Sequence, residues 1–237
     1  MPVTPDRRLD AVLFDFHGTL AMTQDPVTWV GAALVDLGVA LDRGRLTVLA
    51  DRLATAGGLP GITRDIRIPP HLAEVWADRD LSEYAHRAAY VGLARTVQTD
   101  HEGLAEAVYE RILAPEGWVV YPDAVPTIKA LLAAGVAVGV ISNIGFDIRP
   151  LLHAWGLGDL PAILSYEVGL IKPDQKIFYR ACAMLGAEPE RTLMVGDTPA
   201  DAGAVYAGLR SLIVPAANPG TANGLSAALH LAFPSME

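Results

Sequence analysis

Cysteine is nearly absent from this 237-residue chain, Cys182 being the single one. One thiol excludes an intrachain disulfide and fits a reducing compartment. It falls in an Ala-rich helical pattern, which reads as a small buried packing residue rather than a reactive group. Positive charge is also scarce: 18 Lys and Arg stand against 27 Asp and Glu, a net charge of −9. That balance argues against nucleic acid as a main partner. It leaves room for a small anionic ligand, because a local site on an acidic protein can be electropositive. Long apolar runs are missing too. The longest, 130–141, is too short for a membrane span and is interrupted by Gly135 and Gly139. Asp6, Arg7, Arg8 and Asp10 precede any apolar run, unlike a secretory leader. The expectation is a soluble, cytoplasmic protein with no membrane partner. The chain also lacks internal repeats and low-complexity tracts.

What is present is ample apolar material, 51% of residues. At this length it can form one large α/β domain, or a core with an insertion. The apolar run Ala11-Val12-Leu13-Phe14 leads directly into Asp15-Phe16-His17-Gly18-Thr19-Leu20. A short apolar run before a glycine turn reads as a buried strand ending in a loop. In an open α/β sheet, ligands and catalytic groups gather at that strand edge. The next comparable run is 136–141, and the stretch between shows helical periodicity and no convincing strand. Helices are expected over 28–37 and 43–56. The spacing of Asp80-Leu81-Ser82-Glu83 suits a capping box opening a helix to about Val97. A further helix over 101–113 is closed by Pro115 and Gly117, and Gly57-Gly58-Leu59-Pro60-Gly61 is a break.

From Tyr121 onward helix and strand alternate. Helices are predicted over 122–134, 147–155, 174–185, 199–207 and 223–231. Strands are predicted over 136–141, 162–164, 192–195 and 211–214. Such a series forms a parallel sheet with right-handed crossovers.

Four sites fall at or just beyond predicted strand ends. They are Asp15 with His17; Ser142-Asn143; Lys172 in Gly169-Leu170-Ile171-Lys172-Pro173-Asp174; and Gly196-Asp197-Thr198-Pro199-Ala200-Asp201. One Asp at a strand end is commonly a turn former or helix cap. Four sites in this order and context are far more specific. They resemble the four motifs of the haloacid dehalogenase-like (HAD) hydrolase superfamily, over the whole chain outside the helical insertion. The insertion itself resembles the C1 cap of subfamily I. The resemblance implies a Rossmann-like α/β core with a parallel sheet (residues 1–20 and 118–237) and an inserted α-helical cap (residues 21–117).

The resemblance also implies roles. Asp15 is the nucleophile that attacks phosphorus and forms an aspartyl-phosphate, dividing a hard hydrolysis into two easier steps. Ser142 donates a hydrogen bond to a phosphoryl oxygen, with Thr19 also in the substrate-binding set. Lys172 neutralises charge between nucleophile and phosphate, and binds substrate. Asp15, Asp197 and the backbone carbonyl of His17 hold Mg²⁺. Asp201 orients Lys172 or a water on the metal from outside the ligand set. Asn143, next to Ser142, should approach the leaving-group side. The implied activity is Mg²⁺-dependent hydrolysis of a small-molecule phosphate monoester. A 2-haloacid dehalogenase-like hydrolase using Asp15 on carbon is one alternative. A catalytically impaired phospholigand-binding protein is the other. The pair Asp197 and Asp201 favours phosphoryl chemistry, since dehalogenases of this type need no metal. Oligomeric state stays open.

His17 departs from the family pattern, where the phosphatases carry a second Asp. Any residue supplies the carbonyl. For proton transfer, imidazole is a plausible substitute, with an ordinary pKa of about 6.5. Three readings stand: a working acid/base, a residue serving a different reaction of the family, or the mark of a slow or inactive descendant. If the backbone is locally extended, alternation across Phe16 points Asp15 and His17 the same way.

In the insertion, Arg64, Arg67 and His71 are candidates to meet an anionic substrate, as are His86, Arg87 and Tyr90 on one helix. Each also reads as part of a solvated or ion-paired helix face. Trp29, Trp76, Trp118 and Trp155 read as packing rather than substrate platforms. Asp147 reads as an N-cap.

Overall fold

The computed structural model describes residues 8–61 and 66–233, so Arg64 lies outside the described residues. The chain begins with β1 (Ala11–Phe14) and β2 (Ala21–Thr23). Five helices follow: α1 (Pro26–Asp36), α2 (Arg43–Ala56), α3 (Ala73–Ala77), α4 (Glu83–Arg95) and α5 (Leu104–Leu113). Next come β3 (Trp118–Val120), α6 (Ala124–Ala133), β4 (Ala137–Ser142), α7 (Arg149–Ala154), β5 (Ala162–Leu164), α8 (Ser165–Val168) and α9 (Gln175–Leu185). The last elements are β6 (Thr192–Gly196), α10 (Pro199–Ala202), β7 (Arg210–Ile213) and α11 (Ala227–Ala232).

Strand β1 is fully buried, which is why it reads as an unbroken apolar run. It takes the centre of a five-stranded sheet in the order β5-β4-β1-β6-β7, with every pairing parallel. Period-two alternation splits it between two cores. Val12 and Phe14 join one large apolar cluster, while Leu13 faces a second with Ile177 and Phe178 of α9 and Met194 of β6. Cys182 is buried in that second cluster, as its Ala-rich setting suggested. The α/β class with a parallel sheet is as expected.

A strand pair that the pattern did not reveal joins the two ends of the helical insertion. β2 pairs antiparallel with β3, Ala21 opposite Val120 and Thr23 opposite Trp118. Three residues are too few for alternation to show, and the pairing joins positions almost a hundred residues apart. α1 to α5 lie between these two strands.

Several helix ends also differ from expectation. Ser82, not Asp80, caps α4, its side chain accepting from the Ala85 N–H at 3.3 Å. Asp147 lies one residue before the α7 cap position and accepts from Arg149 N–H at 2.9 Å. The predicted helix 199–207 stops after one turn and continues as a 3-10 helix from Gly203 to Ala207. Gly203 is pressed against the Pro173 ring there. The last helix starts at Ala227 because Asp123 holds the 223–225 backbone in a turn. Its carboxylate accepts from the N–H groups of Asn223, Gly224 and Leu225. Among the described residues, no helix is long and apolar enough to cross a membrane.

Candidate active site

The carboxyl ends of β1, β4 and β6 bring three of the four motifs together with the loop after α8. Asp15 follows β1 directly, with its N–H bonded to the Val195 carbonyl of β6 at 2.9 Å. Lys172 reaches in from that loop and is buried. Its ammonium donates to Asp15 Oδ1 at 2.6 Å, to Asp201 Oδ1 at 2.6 Å and to the Ile141 carbonyl at 3.1 Å. Three acceptors use all three of its donors. Asp201, fully buried, accepts at its other oxygen from Thr198 N–H at 3.0 Å and Thr198 Oγ1–H at 2.6 Å. Thr19 donates to Asp197 Oδ1 at 3.2 Å.

Close backbone approach makes this packing possible. A Cβ at Gly196 would overlap the Asp201 carboxyl, and one at Gly18, where φ is +85°, would overlap that of Asp197.

The cluster carries more negative than positive charge. Asp15, Asp197 and Asp201 each offer an oxygen within 4.8 Å of the others, against the one ammonium. Burial raises the Asp15 carboxyl to about 7, with Lys172 pulling it down and Asp201 and Asp197 adding to the rise. Asp197 is raised by burial and by Asp201, and its carboxylate meets that of Asp15. Burial disfavours the Lys172 ammonium, but the charges of Asp15 and Asp201 outweigh it and hold its pKa above the usual value. An all-oxygen donor set with surplus negative charge fits a hard divalent cation. Asp15 and Asp197 have oxygens to give it, whereas both oxygens of Asp201 are committed to Lys172 and Thr198.

Ser142 ends β4 and is buried beside this cluster's edge of the sheet. Asn143 clamps the Lys172 backbone from both sides. Its Nδ2 donates to the Lys172 carbonyl at 2.9 Å, and its Oδ1 accepts from the Lys172 N–H at 2.7 Å. In this structure Asn143 therefore shapes the lysine loop.

His17 has different neighbours from Asp15. Its Nε2 lies beside Gly61 in the insertion, buried and without a hydrogen-bond partner. The ring meets Trp118 edge-on at 5.4 Å between centroids. Burial pulls its pKa down to about 4, so the imidazole is neutral at pH 7. His17 and Gly61 line a cleft of about 310 Å³ with Met22, Trp76, Arg79, Tyr90 and Asp197.

The insertion candidates divide. Tyr90 reaches the cleft. His86 is buried instead, its Nδ1 2.9 Å from the Tyr109 hydroxyl and its ring among Tyr90, Tyr109 and Phe146. Arg87 pairs with Glu110 at 2.6 Å on the surface. Arg67 and His71 are exposed and do not line the cleft. Trp29 packs in the core as expected, its indole N–H bonded to the Val108 carbonyl at 3.0 Å. Trp118 and Trp155 pack against Phe16. Trp76 departs from its packing assignment and lines the cleft.

Sequence reasoning passed over Arg79, Ser165 and Asn223. Ser165 Oγ bridges the Asp80 carbonyl of the insertion and the Ile144 N–H of the loop after β4. Asn223, from the loop before α11, donates to the Thr19 carbonyl at 2.9 Å. No local pattern signals either. Arg79 had a signal in its place beside Trp76, since Arg and Trp three apart on a helical segment can stack.

The chain is similar to several known proteins. A phosphoglycolate phosphatase from Rhodospirillum rubrum is 35% identical over 123 residues, 48% of this chain and 50% of that protein. The (S)-2-haloacid dehalogenase 1 of a Pseudomonas species is 35% identical over 86 residues, 35% of this chain and 38% of that protein. The chain thus spans half or less of the length of these curated relatives. A crystal structure of a dehalogenase with an intermediate complex superposes with a TM-score of 0.64 at 22% identity, covering 96% of this chain and 98% of its own. The family model for haloacid dehalogenase-like hydrolases matches residues 9–205, most of the chain and all four motifs. The chain belongs to the haloacid dehalogenase-like hydrolase family.

Proposed function

We propose that this protein is a divalent-metal-dependent phosphatase acting on a small phosphate monoester through a phosphorylated Asp15. The observation that carries the reading is the Lys172 ammonium, held 2.6 Å from both Asp15 and Asp201 beside a third carboxylate. A dehalogenase nucleophile attacks carbon and has no use for a cluster that wants a cation. In the first step an Asp15 carboxylate oxygen attacks phosphorus, the bond from phosphorus to the alcohol oxygen breaks, and the departing alkoxide takes a proton from solvent water. In the second, water attacks phosphorus, inorganic phosphate departs and the carboxylate is restored.

Lys172 balances charge on Asp15 and on the incoming phosphoryl group. Asp201 fixes Lys172, Asn143 fixes its backbone, and Ser142 and Thr19 serve the phosphoryl end. Mg²⁺ would be held by Asp15, Asp197 and the His17 carbonyl, and supplies the neutralisation that lets one anion approach another. His17 is assigned the proton transfer of the second step, from the attacking water. Its ring is neutral and its Nε2 has no protein partner, the state needed to accept a proton from water. The insertion, residues 21–117, is assigned as a cap over the site. Its Asp80 carbonyl is bonded to Ser165, and its Arg79 carbonyl and His86 lie against Gly145.

The test is steady-state release of p-nitrophenol from p-nitrophenyl phosphate, with Mg²⁺ or with EDTA. Release that requires Mg²⁺ and is lost in Asp15→Asn supports the reading. Turnover of 2-chloropropionate in EDTA, with none of the phosphate ester, would replace it by dehalogenation.

A further inference from the structure

The cleft over Asp197 is walled on its insertion side by carbon rather than charge. Trp76 and Tyr90 are both half-buried and meet edge to face, with ring centroids 5.8 Å apart. Met22, Leu59 and Ile66 complete that wall, and His17 and Asp197 also line the cleft. Arg79 is the one cation among the described residues lining it, and its charge is already engaged. Its guanidinium lies over the Trp76 ring at 4.3 Å, donates to the Trp76 carbonyl at 2.8 Å and pairs with Asp80 at 3.4 Å. Arg79 therefore braces the indole. Among the described residues, a second anionic group on a substrate would meet no cation in this space other than the already paired Arg79, and it would lose its hydration. An apolar ring would exchange water for aromatic and aliphatic faces.

We propose that Trp76 and Tyr90 select the leaving group, so that the preferred substrate is a phosphate monoester of an apolar, ring-sized alcohol without a second anion. This rests on the phosphatase reading of Asp15. It also sets this chain apart in substrate class from the phosphoglycolate phosphatase it resembles.

The test compares 2-phenylethyl phosphate with phosphoglycolate. Both are esters of primary alcohols, so the departing oxygens are alike and the comparison reads the body of the leaving group. The expected kcat/KM is at least about tenfold higher for the aromatic ester, a discrimination within reach of a hydrophobic pocket. Trp76→Ala should cut that ratio by about tenfold, mainly through KM for the aromatic ester, and Trp76→Phe should restore most of it. Equal or better turnover of phosphoglycolate by the wild-type enzyme overturns the inference and leaves the phosphatase reading standing. A ratio unchanged in Trp76→Ala likewise removes Trp76 from the selection. Turnover of neither ester, in an enzyme that also leaves p-nitrophenyl phosphate intact, overturns both. The wild-type comparison does not depend on a variant that folds.

Discussion

The two sides of the candidate site are built on opposite principles. On the sheet side, polar groups are matched: Lys172 has three acceptors, both oxygens of Asp201 are occupied, and Asn143 holds the lysine loop twice. On the insertion side, the surface is aromatic and aliphatic, and the buried Nε2 of His17 has no protein partner. A matched network in a low-dielectric place is rigid and costly to disturb. An apolar wall tolerates change of shape and discriminates by fit. On the proposed function, this division puts the nucleophile and its cation on the sheet and the choice of leaving group on the insertion.

The largest break in this contrast should come from Lys172→Met, which leaves three clustered carboxylates without their cation. Removing one partner of a buried ion pair costs about 3–5 kcal/mol. The urea midpoint should fall accordingly, and phosphatase activity should drop to the level of Asp15→Asn. An unchanged midpoint would mean that the cluster is not held by the lysine.

Protons should act with opposite sign on the two sides. Buried His86 has its pKa lowered from 6.5 to about 3 by burial, with the Arg79 charge adding to the effect. The unfolded chain binds that proton first, so this contribution is complete above pH 6.5 and is lost as pH falls toward 3. The slope approaches about 1.4 kcal/mol per pH unit between those limits. His86→Phe should flatten the slope in metal-free urea titrations across pH 6.5 to 4. Asp15 runs the other way. Its carboxyl is raised to about 7 from 3.8, so metal-free protein gains stability from it as pH falls between those values. Protons and Mg²⁺ therefore compete, and Mg²⁺ should raise Tm more at pH 8 than at pH 5.5. Equal shifts at both values would separate metal binding from the Asp15 cluster.

Asn143→Ala removes two hydrogen bonds from the Lys172 backbone, at about 1 kcal/mol each. It should lower kcat more than it raises KM, because it displaces the lysine rather than a substrate contact. The smallest effect is expected from Asn223→Ala, which frees the Thr19 carbonyl and costs about 1 kcal/mol. Differential scanning calorimetry resolves a change of that size.

The sheet side was legible in the sequence because its parts are local. An apolar run ending in Asp15, a second ending in Ser142 and a third ending at Gly196 each carry strand and reactive group together. The insertion side was not, because its parts meet only in three dimensions. β2 and β3 are three residues each and pair across the whole insertion. Trp76 lines the cleft because α3 packs on α4, a tertiary fact with no periodic signature. His86 and Tyr90 share a helix face as their spacing indicates, yet one enters the core and the other the cleft. Asp123, placed to cap α6, holds the loop before α11 instead, again through contacts a hundred residues distant.

The measurement that bears most directly on this account is a rapid acid quench of the enzyme with Mg²⁺ and p-nitrophenyl phosphate, followed by peptide mass spectrometry. The prediction is one added phosphoryl group on the peptide containing Asp15, formed within the first turnover and absent from Asp15→Asn. Sustained release of inorganic phosphate with no such adduct at any quench time, and full activity in Asp15→Asn, would contradict Asp15 as the nucleophile.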